Sequence, residues 1–106
     1  MIVVYTTGVF DLLHIGHIKI LKRARALGDK LTVGVQDDDS VEEQKGERPI
    51  LNCNERMVML EALHIVDNTI CYTNTDQLDM LDLIQPNIMV QGSDWEQSSD
   101  RTTIKE

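Results

Sequence analysis

The first thirty-five residues constrain the fold more than any other stretch. A short β-type run, Ile2 to Thr6, meets a turn that opens a segment whose apolar residues Ile18, Leu21, Ala24 and Leu27 recur at helical spacing to about Ala26. Gly28 reads as a helix stop, and Leu31 to Val35 as a second buried strand. Strand, helix and strand in this order make a βαβ unit, whose strands run parallel with a right-handed crossover. The pattern continues with a strand at Asn68 to Tyr72, a helix at Asp76 to Ile84 and a strand at Asn87 to Val90. The expectation is an open parallel α/β sheet of four or five strands with helices on both faces, a Rossmann-like arrangement. At 106 residues the chain is read as a single domain, 1–106.

The turn between the first strand and helix carries the chemistry. Thr7-Gly8-Val9-Phe10-Asp11-Leu12-Leu13-His14-Ile15-Gly16-His17 holds two of the chain's three histidines within four residues. Backbone N–H groups at a helix start lack intrahelical partners and sit at the positive end of the dipole, so the turn suits a phosphate. Gly8 and Gly16 carry no side chain to keep an anion from that backbone. His14 and His17, three apart, fall on one helix face and can address one ligand. The competing reading is a pair of zinc ligands, but Cys53, Cys71 and His64 show no spacing that would complete such a site.

Bulk properties narrow the partners. A formal charge of −8 argues against broad nucleic-acid binding, which calls for a basic face, yet leaves room for a small phosphorylated substrate met by a few local cations. No run approaches the roughly 18 apolar residues of a membrane span, and the N-terminus lacks a leader pattern. A cytoplasmic protein with reduced thiols and no membrane association is the expectation. Lys19, Lys22, Arg23 and Arg25 on the first helix read as a solvated face.

Further along, Asp37-Asp38-Asp39-Ser40 ends the second strand and caps a short helix through Glu43. Gln44 to Pro49 follows as a polar loop. Asn52 or Asn54 caps the next helix, whose Met57, Leu60, Leu63 and His64 stripe suggests core. Arg56 falls in its first turn, an unfavourable place for a cation unless something anionic faces it: a nucleotide, or an acidic side chain of a neighbouring segment. Gly92-Ser93-Asp94-Trp95 lies just past the last strand, where open α/β sheets bind ligands. Asp94 could accept from ribose hydroxyls or an exocyclic amine, and Trp95 could stack or pack.

The turn with its flanks resembles the HxGH signature of the cytidylyltransferase-like nucleotidyltransferases. Further matches lie in order: the basic loop at Lys45 to Arg48, Asn54-Glu55-Arg56-Met57, Val66-Asp67 before a strand, Gly92-Ser93-Asp94-Trp95, and Arg101-Thr102-Thr103-Ile104. Within the family the segments are most similar to glycerol-3-phosphate cytidylyltransferases, while Glu47-Arg48-Pro49-Ile50 resembles the adenylyltransferases that activate heptose phosphates.

The resemblance implies attack of a small phosphorylated alcohol, such as glycerol 3-phosphate, on the α-phosphate of CTP, releasing pyrophosphate. ATP with a sugar phosphate is the alternative, and a non-catalytic nucleotide-binding module a third. It implies that His14, His17, Lys45 and Arg101 act on the phosphates. Gly8, Val9, Phe10, Asp11, Gly16, Arg56, Gly92, Asp94, Trp95, Thr102 and Thr103 would complete the nucleotide site, with Arg101 to Thr103 at a helix N-terminus. A magnesium ion is implied, because a triphosphate carries about four negative charges. A homodimer is implied too, with Asp67 at its interface. Only Glu96 to Asp100 separate the Gly-Ser-Asp-Trp loop from Arg101, where family members insert another strand, so a compact four-strand version or a shortened form is expected.

Overall fold

Among the described residues the elements follow in the order β1 (Val3–Gly8), α1 (Ile15–Ala26), β2 (Lys30–Gln36), α2 (Asp38–Lys45), α3 (Cys53–Glu61), β3 (Asn68–Tyr72), α4 (Gln77–Ile84), β4 (Ile88–Gln91) and β5 (Thr102–Lys105). The computed structural model describes residues 1–90 and the backbone of residues 91 and 102–105. The strands form one parallel sheet in the order β3-β2-β1-β4-β5. From β1 the chain moves one way to β2 and β3, then returns to β4 on the other side of β1. The reversal of strand order therefore falls between β1 and β4, and the carboxyl ends of these two strands frame the expected ligand crevice.

Alternation along each strand separates two faces. Val4, Leu31, Val33, Val35 and Val90 lie on one, packed against Leu21 and Ala24 of α1 and Leu60 of α3. Val4 and Leu31 are register partners across β1 and β2, so their side chains stack on the same side. The opposite face buries Tyr5, Thr32, Tyr72 and Met89. There Ile84 of α4 joins Val3, Thr32 and Ile70 around a cavity of about 380 Å³. Helices thus cover both faces, and among the described residues no helix is long and apolar enough to cross a membrane.

Local chemistry sets the element ends. Asp37 caps α2, its Oδ1 accepting the Ser40 N–H at 3.0 Å, and Gly46 closes that helix in the left-handed conformation at φ 84°. Asn52 rather than Asn54 caps α3, through a reciprocal pair in which Asn52 Oδ1 accepts the Glu55 N–H and Glu55 Oε1 accepts the Asn52 N–H, both at 2.9 Å. Because α2 runs on to Lys45, that lysine sits on a helix end and not in the loop. His64 lies beyond α3 and is exposed, so the expected core stripe stops at Leu63, which packs against the core.

The C-terminal segment departs most from expectation. Thr102–Lys105 is the fifth strand, pairing in parallel with β4, where the sequence suggests a phosphate-facing helix start. Two consecutive threonines and an isoleucine are β-branched and favour extended backbone, which explains the outcome. The register sets Thr102 beside Ile88 and Thr103 beside Met89, at the amino end of β4. These two threonines therefore lie level with the end of the sheet opposite the histidine turn.

Candidate active site at the histidine turn

β1 delivers the chain into a turn with unusual backbone. Phe10 and Leu12 adopt φ 51° and 53°, a left-handed conformation that costs non-glycine residues on the order of 1–3 kcal/mol each. Two contacts hold it. The Phe10 ring is buried in the core, and the Asp11 carboxylate accepts two backbone N–H groups from the distant loop, Ile50 at 2.7 Å and Leu51 at 2.9 Å. Both Asp11 oxygens are thus engaged by protein. Asp11 thereby brackets the histidine turn to the loop before α3.

α1 begins with an imidazole version of a capping box. His14 is the N-cap, and its Nδ1 accepts the Gly16 N–H at 3.0 Å. In return the His14 N–H donates to His17 Nδ1 at 3.2 Å. The rings stack with centroids 4.0 Å apart and 29° between planes, and Phe10 meets His17 edge-on at 5.4 Å. A neutral imidazole that accepts at Nδ1 carries its proton on Nε2. Both histidines are therefore set as Nε2–H donors. Burial, and then the neighbouring His14, lower the pKa of His17, which reinforces the neutral form.

The two glycines serve this arrangement. A Cβ on Gly16 would lie 2.8 Å from the His14 ring, and one on Gly8 would lie 2.9 Å from the Phe10 ring. Neither glycine could carry a side chain without moving one of the two rings that shape the turn.

Arg56 is buried completely. Its Nη1 donates to the Val9 carbonyl at 2.8 Å, its Nε to the Leu51 carbonyl at 3.0 Å, and its Nη2 to Asp38 Oδ1 at 2.7 Å. Of the two partners expected for this cation, the structure supplies the acidic side chain, and the guanidinium is closed off from solvent. Val9, likewise, contributes a carbonyl to Arg56. The signal available in the sequence is the misplaced charge of Arg56. The acceptors Val9 and Leu51, and the choice of Asp38 from three neighbouring aspartates, come only from the fold.

Lys45 ends α2 and is exposed, so its ammonium is free to reach an anion. Arg48 is tied to α2 instead, bonding Asp39 at 2.8 Å and Glu42 at 3.1 Å, with Asp38 at 3.8 Å. Its guanidinium is held above its ordinary value by these acidic hydrogen bonds. The members of the acidic run are thus all engaged within the chain, since Asp37 caps α2, Asp38 meets Arg56 and Asp39 meets Arg48. The Ser40 hydroxyl accepts the Asn74 N–H at 3.0 Å. Among the described residues no three His, Cys, Asp or Glu side chains converge to hold a metal ion.

Gly92, Asp94, Trp95 and Arg101 lie outside the described residues. Thr102 and Thr103, in β5, are displaced from the turn as described above. Asp67, expected at a subunit interface, is engaged within its own chain: Oδ2 accepts the Leu31 N–H at 2.8 Å and lies 3.5 Å from Arg25 Nε.

Comparison with known proteins agrees with this geometry. A family model described as cytidylyltransferase-like matches residues 5–106. The bifunctional protein HldE of Helicobacter hepaticus is 44% identical over 94 residues, which cover 88% of this chain and 20% of that protein. HldE of Geobacter sulfurreducens is 39% identical over 94 residues, covering 88% and 19%. The chain thus spans about a fifth of the length of the curated relatives it matches. Among solved structures, the lipopolysaccharide core biosynthesis protein from Thermoplasma volcanium GSS1 superposes with a TM-score of 0.91 at 31% identity, over 99% of this chain and 95% of that one. None of these three is named a glycerol-3-phosphate cytidylyltransferase, so the finer resemblance drawn from the sequence finds no counterpart in them. The match at the level of the family runs through the histidine turn to the C-terminus, and the chain belongs to the cytidylyltransferase-like family.

Proposed function

We propose that the chain transfers an adenylyl group from ATP to a sugar phosphate and releases pyrophosphate. The observation that carries the reaction class is the reciprocal histidine cap, which leaves two Nε2–H donors at the helix N-terminus that follows the carboxyl end of β1. A sugar-phosphate oxygen attacks the α-phosphorus, a new P–O bond forms, and the bond to the β-phosphate oxygen breaks. Such a reaction needs positioning and charge stabilisation more than covalent help. His14 and His17 donate to the α-phosphate oxygens as charge develops there. The positive end of the α1 dipole, at the same turn, adds to this stabilisation. Lys45 draws the β- and γ-phosphates toward α2. Magnesium, when bound to the triphosphate, supplies further neutralisation of its charge.

The choice of ATP and a sugar phosphate over CTP and glycerol 3-phosphate has two supports. Glu47-Arg48-Pro49-Ile50 resembles the loop of heptose-phosphate adenylyltransferases. The structural neighbour is named for lipopolysaccharide core biosynthesis, a name that points to saccharide chemistry. The test is pyrophosphate release with ATP and CTP, each against a panel of sugar 1-phosphates and glycerol 3-phosphate. The expected result is a kcat/KM at least about tenfold higher for ATP with a sugar phosphate, a difference of roughly 1.4 kcal/mol in the barrier. A preference for CTP with glycerol 3-phosphate returns the assignment to the cytidylyl reading. No release with any pair leaves a nucleotide-binding module.

A further inference from the structure

A fully buried guanidinium that contacts three separate segments holds those segments at fixed distances from one another. Arg56 joins Val9 in the histidine turn, Leu51 at the end of the loop and Asp38 at the first residue of α2. Asp38 is well placed for this, because a carboxylate at a helix start is favoured by the dipole while it neutralises Arg56. α2 is a short rigid rod, and Lys45 stands at its far end, roughly 10 Å from Asp38 at 1.5 Å per residue. The loop between α2 and α3 is fixed at its other end by Asp11, which takes the Ile50 and Leu51 N–H groups. The histidines and the lysine are therefore referred to one common point.

We propose that Arg56 and Asp38 form a positioning pair that sets where Lys45 stands relative to His14 and His17, without touching a ligand themselves. The kinetic part of this inference rests on the nucleotidyl-transfer reading; the structural part does not. A guanidinium suits this role because its planar fork makes three directed bonds at once, which a lysine ammonium cannot reproduce in the same geometry.

The test uses Asp38→Glu and Asp38→Asn. The glutamate keeps the charge but moves the carboxylate out by one methylene, so a pair that merely neutralises Arg56 would be restored by it, whereas a pair that sets distance would not. In the free protein, amide exchange of Ile50, Leu51 and the α2 residues should accelerate at least about tenfold in Asp38→Glu, while Leu21 and Ala24 of α1 keep their rates. KM for the nucleoside triphosphate should rise about tenfold with kcat within about threefold of wild type. The same substitution in a Lys45→Ala background should raise KM no further, since effects that run through one residue do not add. Asp38→Asn should show the same pattern more strongly, and Asp38→Glu remains informative if the asparagine variant does not fold. Wild-type exchange rates and KM in Asp38→Glu overturn the proposal. So does a KM increase that adds in full to that of Lys45→Ala. If the wild type turns over no nucleotide, the functional reading fails, and the exchange rates alone decide whether the pair positions α2.

Discussion

His17 has two nitrogens with separate duties, and that division allows them to be separated by substitution. Nδ1 belongs to the fold, where it accepts the His14 N–H, and in the proposed reaction Nε2 donates to the α-phosphate. Asparagine can place an acceptor near the Nδ1 position but has nothing at Nε2. His17→Asn should therefore keep the first turn of α1 and its thermal stability while lowering turnover on the order of 100-fold, the usual scale for one transition-state donor. His17→Ala should lose both. Measuring melting temperature and kcat for the two variants checks this; equal loss of stability would show that the cap contributes little. At the same scale Arg56 illustrates what a sequence conceals. Its charge conflict with the start of α3 is legible, and so is the need for an anion. The identity of that anion is not, because Asp38 is eighteen residues away and reaches Arg56 only once β2, α2 and α3 have assembled.

At the scale of elements, the two-nitrogen arrangement makes the first turn of α1 sensitive to acid. The folded state lowers the pKa of His17 through burial and then through His14, so the folded protein disfavours the proton relative to the unfolded chain. The resulting stability is present above the unfolded value of about 6.5 and is lost as pH falls below it. Protonation at Nδ1 also removes the acceptor of the His14 N–H. Between pH 7.5 and 5.5 the amides of His14 and Gly16 should lose protection, after correction for intrinsic rates, and His17→Asn should flatten that dependence. Identical protection at the two values would remove the linkage.

The elements themselves are largely readable from periodicity and caps. These place Asn68–Tyr72 to the residue, and α1, β2 and α4 to within a few positions. They fail at ends decided by capping hydrogen bonds. α1 begins at Ile15 because His14 supplies the cap, and α2 reaches Lys45 because Gly46 can turn left-handed there. Thr102–Lys105 misleads because an arginine followed by hydroxyl residues resembles a phosphate-binding helix start. β4 offers an unpaired edge to β-branched residues, and that pairing prevails.

For the whole molecule, Asp67 belongs among the bonds that hold β2 in place. It brackets Leu31 from both sides, accepting its N–H at 2.8 Å through Oδ2 and donating its own N–H to the Leu31 carbonyl at 2.9 Å. Asp67→Ala should lower stability by about 1–2 kcal/mol, the cost of leaving that donor without its acceptor. The melting temperature should fall equally at all protein concentrations. A fall that appears only on dilution would place Asp67 at an interface between copies instead. The reciprocal histidine cap has a consequence of another kind, for how the protein comes into being. The two rings are three residues apart and each is bonded to the other's neighbourhood, so their mutual geometry is reached when a single helical turn nucleates, the costly early step of helix formation. The mutual placement of the two rings is thus written into one helical turn, whereas the contacts that hold the turn itself come from distant parts of the chain.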